Sequence, residues 1–219
     1  MFIDEIVLVT ADIQKTKLFY GEQLGLPVTV TGSSNISYRI GRSILSFKEV
    51  KDAAPLYHIA FSIPNNQLNG ALDWIRERTA ILPYSDEELI ADFVNWNAKA
   101  FYFHDREGNI LECITHYDRG SFLPGTFTTG CFESIIEIGI PVDDVTAACA
   151  AFNQQNGIPY FSKGPRLPVF AVMGDEDGML IVTQKGRGWL PTQQPAEKHF
   201  MQLKLTVAGR AMELQLNQY

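Results

Sequence analysis

Residues 100–112 read Ala100-Phe-Tyr-Phe-His-Asp-Arg-Glu-Gly-Asn-Ile-Leu-Glu112, two short strands around a tight turn. Asp105, Gly108 and Asn109 supply the turn chemistry. The strand after the turn, Ile110 to Ile114, is apolar apart from Glu112 and Cys113. A carboxylate in the middle of such a strand is costly to bury unless it is paired, protonated or bound to a metal. The rest of the chain is read for what Glu112 meets.

Element order repeats on either side of this hairpin. Upstream, Ile3 to Thr10 alternates as a strand, and Asp12 caps a helix carrying Ile13, Thr16, Phe19, Tyr20 and Leu24, which ends at Gly25. Pro27 to Gly32, Asn35 to Ile40 and Ser43 to Glu49 complete a first βαβββ unit. A second unit begins with the strand Tyr57 to Ile63 and a helix over Leu68 to Ile75, and closes with the hairpin 100–115. Its middle segment, Ala80 to Asn97, is longer than its counterpart, and Ser85-Asp-Glu-Glu88 has the spacing of a capping box, which predicts an extra short helix. A third unit begins at Glu133, with a strand from Ser134 to Pro141, a helix capped by Asp143 or Asp144, and a closing turn Gly174-Asp-Glu-Asp-Gly178 that copies the turn at 105. Glu5 through Ile13 align with Glu137 through Val145, and His58-Ile-Ala-Phe-Ser is the middle copy. Met201 to Val207 and Met212 to Leu216 read as edge strands or as part of a truncated fourth unit.

Composition sets outer bounds. The net charge of −7, with no basic run, argues against nucleic acid or an anionic membrane as partner. No apolar run approaches the ~20 residues of a membrane span, and the acidic start lacks the positive charge of a signal peptide, so a cytoplasmic protein is expected. Cys113, Cys131 and Cys149 are odd in number and widely spaced, which predicts neither a disulfide framework nor a cysteine zinc site.

The segment Asp12-Ile-Gln-Lys-Thr-Lys-Leu-Phe-Tyr-Gly-Glu-Gln-Leu-Gly25 and the hairpin Phe103 to Glu112 resemble the helix signature and final hairpin of the vicinal oxygen chelate superfamily, which includes glyoxalases, bleomycin resistance proteins and extradiol dioxygenases. The resemblance implies an α+β fold of repeated βαβββ modules, paired into a curved, half-open mixed sheet with helices outside. Residues 1–117 are expected to hold the pair forming the cavity (module one 1–50, module two 55–117). Residues 118–132 are expected as a linker, and 133–219 as a third module with extra C-terminal strands.

Carried over by position, the resemblance implies metal ligands at Glu5 and His58 on first strands and at Glu112 on a last strand. One imidazole and two carboxylates suit Mn, Ni, Co or Fe(II). Tyr102, ten residues before Glu112, is a candidate proton donor or ligand contact. Glu137 repeats Glu5 but has Val182 at the last-strand position of its own module, so it is read as lacking a metal-site partner, and the acid expected in module one is absent from Ile44-Leu-Ser-Phe47. Two functions stay open. One is a metal-dependent enzyme of the glyoxalase or dioxygenase type, acting on a small oxygenated molecule with 80–97 as a lid. The other is a metal-free protein that sequesters a small ligand, with Trp96, Phe101 and Tyr102 dominating recognition. The odd number of modules points to a possible homodimer.

Overall fold

The computed structural model describes residues 1–217 of the 219-residue chain. Module one comprises β1 (Phe2–Thr10), α1 (Ile13–Thr16) continuing as a π-helical turn over Lys17–Gln23, β2 (Val28–Thr31), β3 (Asn35–Ile40) and β4 (Ser43–Glu49). Asp12 caps α1 by accepting from the amides of Gln14 and Lys15. Module two comprises β5 (His58–Ser62), α2 (Leu68–Arg76), β6 (Ile81–Leu82), β7 (Ala91–Phe93), β8 (Ala98–His104) and β9 (Ile110–His116). Module three comprises β10 (Ser134–Val142), α3 (Val145–Asn156), β11 (Arg166–Leu167), β12 (Phe170–Asp175) and β13 (Gly178–Gln184). The small hairpin β14 (Gly188–Trp189) and β15 (Gln194–Pro195) follows, then β16 (Met201–Val207) and β17 (Arg210–Leu216). The α+β reading and the repeated modules hold.

Two mixed sheets carry all of these strands except β14 and β15, which pair with each other. A six-stranded sheet has the order β17-β16-β1-β4-β3-β2. A nine-stranded sheet runs β11-β12-β13-β10-β5-β9-β8-β6, with β7 also on β8. In the larger sheet β5 and β10 lie antiparallel, and each has the last strand of its own module parallel on its other side. Module two is therefore paired with module three. This corrects the expected pairing of modules one and two. Module one instead pairs its first strand with β16, which stands antiparallel to β1 as β5 stands to β10, and β17 pairs antiparallel with β16 at the edge of that sheet. Both first strands carry a bulge at the same place, between Ile3 and Glu5 and between Ile135 and Glu137.

Strand alternation divides the apolar residues between two faces. Ile6, Leu8, Phe47, Ile59, Phe61, Leu111, Ile138 and Leu203 point into one continuous core that also receives Phe19, Leu72 and Phe152 from the helical turns. The segment 118–132 is largely exposed over 118–126 and is anchored at its end, where Phe127 and Phe132 are buried against each other and against Trp74. Modules one and three touch where Gly41 passes Glu133. A Cβ on Gly41 would meet the Glu133 carbonyl at 2.0 Å, and the Arg42 amide donates to that carbonyl. No extra helix forms at 85–88, because the amides of Tyr84 and Ser85 both donate to the Glu88 carbonyl and close a turn there. All three cysteines are buried and free, and among the described residues no helix is long and apolar enough to cross a membrane.

Candidate metal centre and cavity

The face of the larger sheet turned away from the core carries His58 and Ala60 on β5, Glu112 on β9, and Glu137 and Gly139 on β10. Register brings them together: Ala60 stands opposite Glu112 on one side and opposite Glu137 on the other. His58, Glu112 and Glu137 are all buried, and one ligand atom from each lies within 4.8 Å of the others. His58 Nε2 is 3.4 Å from Glu112 Oε2. Glu137 Oε1 has no hydrogen-bond partner, and His116 Nε2 is 3.9 Å away.

Glu137 thus holds the place expected for Glu5. Glu5 lies on the other sheet, where its Oε2 is 2.7 Å from Lys204 Nζ and its Oε1 accepts from Ser46 Oγ at 3.0 Å. The two glutamates are equivalent in their modules, and only the identity of the neighbouring module separates them. Lys204 sits opposite Glu5 in register, as Ala60 sits opposite Glu137. The register also gives the fourth position of the centre. Gly139 faces Ile181 as Ala60 faces Glu112, so Ile181, not Val182, stands where a second last-strand acid would be.

Burial dominates the electrostatics. It raises the Glu112 carboxyl well above the usual carboxylate range, and the negative charge of Glu137 adds to the shift, while a hydrogen bond from Tyr102 opposes it. Burial lowers the His58 imidazole, with the Glu137 charge opposing. Tyr102, directly across from Glu112 on β8, is pushed far above the usual phenol range by burial and by the two carboxylates. It therefore keeps its proton at neutral pH.

These groups form the floor of a cavity of about 250 Å³. One wall is Phe93 and Trp96, delivered by β7 and the 3-10 turn after it. The expected lid, 80–97, thus contributes a side wall. Phe170, Arg187, Trp189 and Leu190 line the cavity as well. The last three belong to the β14–β15 hairpin, which is tied at its base by the Gly186 amide to the Ala196 carbonyl and the Ala196 amide to the Arg187 carbonyl. Trp189 packs on His58 with ring centroids 5.1 Å apart. A Cβ at Gly139 would meet the Trp189 ring at 2.6 Å, so only glycine admits the indole this close to β10. The sequence held one sign of this hairpin, the Gly188-Trp189 pair after a completed module, but no periodicity to place it. Phe101, expected to take part in recognition, is turned into the core, and His104 bonds the Asn109 carbonyl at the turn.

The donor set fits a divalent ion. Two carboxylates and an imidazole lie at coordinating separation, one carboxylate oxygen is unpartnered, and no lysine or arginine pairs with either acid among the described residues.

No protein-family model matches the chain. A metallothiol transferase FosB of Staphylococcus epidermidis is 27% identical over 119 residues, covering 52% of this chain and 82% of that protein. The FosB of Staphylococcus haemolyticus is 26% identical over the same length. A crystal structure of a proposed dioxygenase from Bacillus subtilis superposes with a TM-score of 0.61 at 12% identity, covering 98% of this chain and 84% of that one. The latter likeness extends over both sheets and concerns the fold.

Proposed function

Since the chain carries the fold of the vicinal oxygen chelate superfamily, we propose that it is a divalent-metal-dependent enzyme acting on a small oxygenated molecule, with His58, Glu112 and Glu137 as the metal ligands. One observation carries this reading: three buried ligand atoms, from His58, Glu112 and Glu137, converge within 4.8 Å at the floor of a cavity, and the Glu137 carboxylate has an oxygen, Oε1, without a hydrogen-bond partner. A buried polar atom left unpaired costs ~1–3 kcal/mol, more when charged, so the fold retains an expense that a bound cation would offset. Three ligands from one side leave further coordination positions facing the cavity. The mixed oxygen and nitrogen set favours Mn, Ni, Co or Fe(II) over a thiophilic ion. When bound, the ion supplies Lewis acidity toward an oxygen of the substrate.

The chain's own residues do the remainder. Glu112 and Glu137 supply the negative charge for a bound cation, which would displace the proton that the raised Glu112 carboxyl favours without it. Tyr102 lines the cavity beside Glu112, to which it donates a hydrogen bond, and is the candidate proton donor or ligand contact for substrate. Trp189 covers His58 and keeps water from that side. Ile181, at the fourth position, leaves the open side apolar.

Elemental analysis of untagged protein purified without chelator tests the assignment. Near-stoichiometric metal is expected in the wild type and in Glu5→Gln, with loss in His58→Ala, Glu112→Gln and Glu137→Gln. Protein that holds no metal and takes none from added Mn, Ni, Co or Fe(II) would leave a metal-free ligand-sequestering cavity as the function. Metal lost in Glu5→Gln but kept in Glu137→Gln would move the centre to the other sheet.

A further inference from the structure

The cavity carries one feature that metal binding does not use. Arg187 is the single arginine or lysine among its lining residues. It is half-buried, its guanidinium lies 4.6 Å over the Phe170 ring, and among the described residues no carboxylate is ion-paired with it. An arginine held by stacking, with its donors unspent, is preorganised to bind a planar anion bidentately. The hairpin that carries it also brings Trp189, whose indole Nε1 is buried without a partner. Arg187 and Trp189 therefore both line the cavity from the same short element.

The space between has a defined character. Phe93, Trp96, Phe170 and Trp189 line the cavity, with Tyr102 beside the floor, so a ring entering it meets largely aromatic surface. At about 250 Å³ the cavity takes a single substituted ring, since roughly 150 Å³ suffices for benzene. A peptide-sized conjugate does not fit in it. The lining thus holds two acids on the sheet and one arginine on the hairpin.

Building on the metal-centre reading above, we propose that the substrate is a monocyclic aromatic carboxylate. Its carboxylate pairs with Arg187, its ring lies against the aromatic lining, and its far end is directed at His58, Glu112 and Glu137. Arg187 is then the residue that selects for the anion, and Trp96 and Trp189 select for a flat body.

Benzoate, benzamide and cyclohexanecarboxylate serve as probes. Binding is measured on the full chain by tryptophan fluorescence, because Trp96 and Trp189 both line the cavity, and by calorimetry, in Mn-loaded and in chelator-treated protein. Benzoate is expected to bind ~10-fold or more tightly than benzamide, the share of a charge-assisted hydrogen bond, and tighter than cyclohexanecarboxylate. In Arg187→Met the benzoate-to-benzamide ratio should fall toward one, and Arg187→Lys should restore part of it. A wild-type ratio near one, or a ratio unchanged in Arg187→Met, would overturn the assignment, the latter by showing that the carboxylate binds the floor instead. Cyclohexanecarboxylate matching benzoate would overturn the planar body. Metal content on the same samples separates this inference from the metal-centre reading. Stoichiometric metal with a ratio near one sinks the anion site alone. Absent metal, with the ratio intact in chelator-treated protein, sinks the metal centre alone.

Discussion

Replacing Glu112 by glutamine should make the metal-free protein more stable while abolishing its response to metal. Glu112 and Glu137 present oxygens within 4.8 Å of one another in a buried site. Two unit charges at that separation repel by at least about 3 kcal/mol at an effective dielectric near 20. The protein escapes part of this by holding a proton on Glu112, whose carboxyl is raised by burial and by Glu137. Glutamine keeps the shape and still accepts from Tyr102, and it removes the charge. A gain of about 1–3 kcal/mol in chelator follows, which for a chain of this length raises Tm by ~2–10 °C. With metal the order reverses. An ion at a thousand times its Kd adds about 4 kcal/mol to the wild type and nothing comparable to the variant. Scanning calorimetry of both proteins, with chelator and with added Mn, reads all four values. A variant less stable than wild type in chelator, or one that gains as much from Mn, would refute the reasoning.

Other consequences are open to measurement. Metal affinity should weaken as pH falls, because the raised Glu112 carboxyl exchanges a proton for the ion, and a competition titration at several pH values reads the slope. In chelator, the Glu112 contribution to stability is present at acid pH and lost as pH rises through its raised folded value. The His58 contribution runs the other way and is lost as pH falls through its lowered value. Glu112→Gln should therefore remove the Glu112 part of the fall in Tm at rising pH, while the acid limb, to which His58 and His199 both contribute, stays. Gly139→Ala should displace Trp189 from His58, cost ~1–3 kcal/mol and shift the tryptophan emission; an unchanged spectrum would deny the close approach. Asp105→Ala removes the acceptor for Tyr20 Oη, the amides of Glu107 and Asn109, and Asn109 Nδ2. Denaturant unfolding should show a loss of ~2–4 kcal/mol.

Local signals in the chain were legible and long-range ones were not. Asp12 and Asp144 announce the helices of modules one and three, and both act as caps. Glu112 stands out because an acid in an apolar strand needs a partner, and His58 is one of those it has. The pairing of modules is another matter. Alternation tells which face Glu5 and Glu137 share with their neighbours, and it is the same for both. Which of them enters the site depends on whether the antiparallel neighbour is β5 or β16, a contact between residues far apart in sequence. The β14–β15 hairpin was invisible for a different reason: two residues per strand carry no period, so Arg187 and Trp189 gave no directional signal. The capping-box spacing at Ser85 misled because the same four residues also close a turn.

Lys204 gives the molecule an internal contrast. On the six-stranded sheet the acid equivalent to Glu137 is neutralised by an ammonium that is part of the chain. That sheet's electrostatics is complete at synthesis and indifferent to what the surrounding solution holds. The nine-stranded sheet, built on the same frame, leaves its acids to a counter-charge from outside. Amide exchange followed across a metal titration should therefore quiet β5, β9 and β10 while β1, β4 and β16 stay as they were, so that one half of the protein serves as the standard for the other.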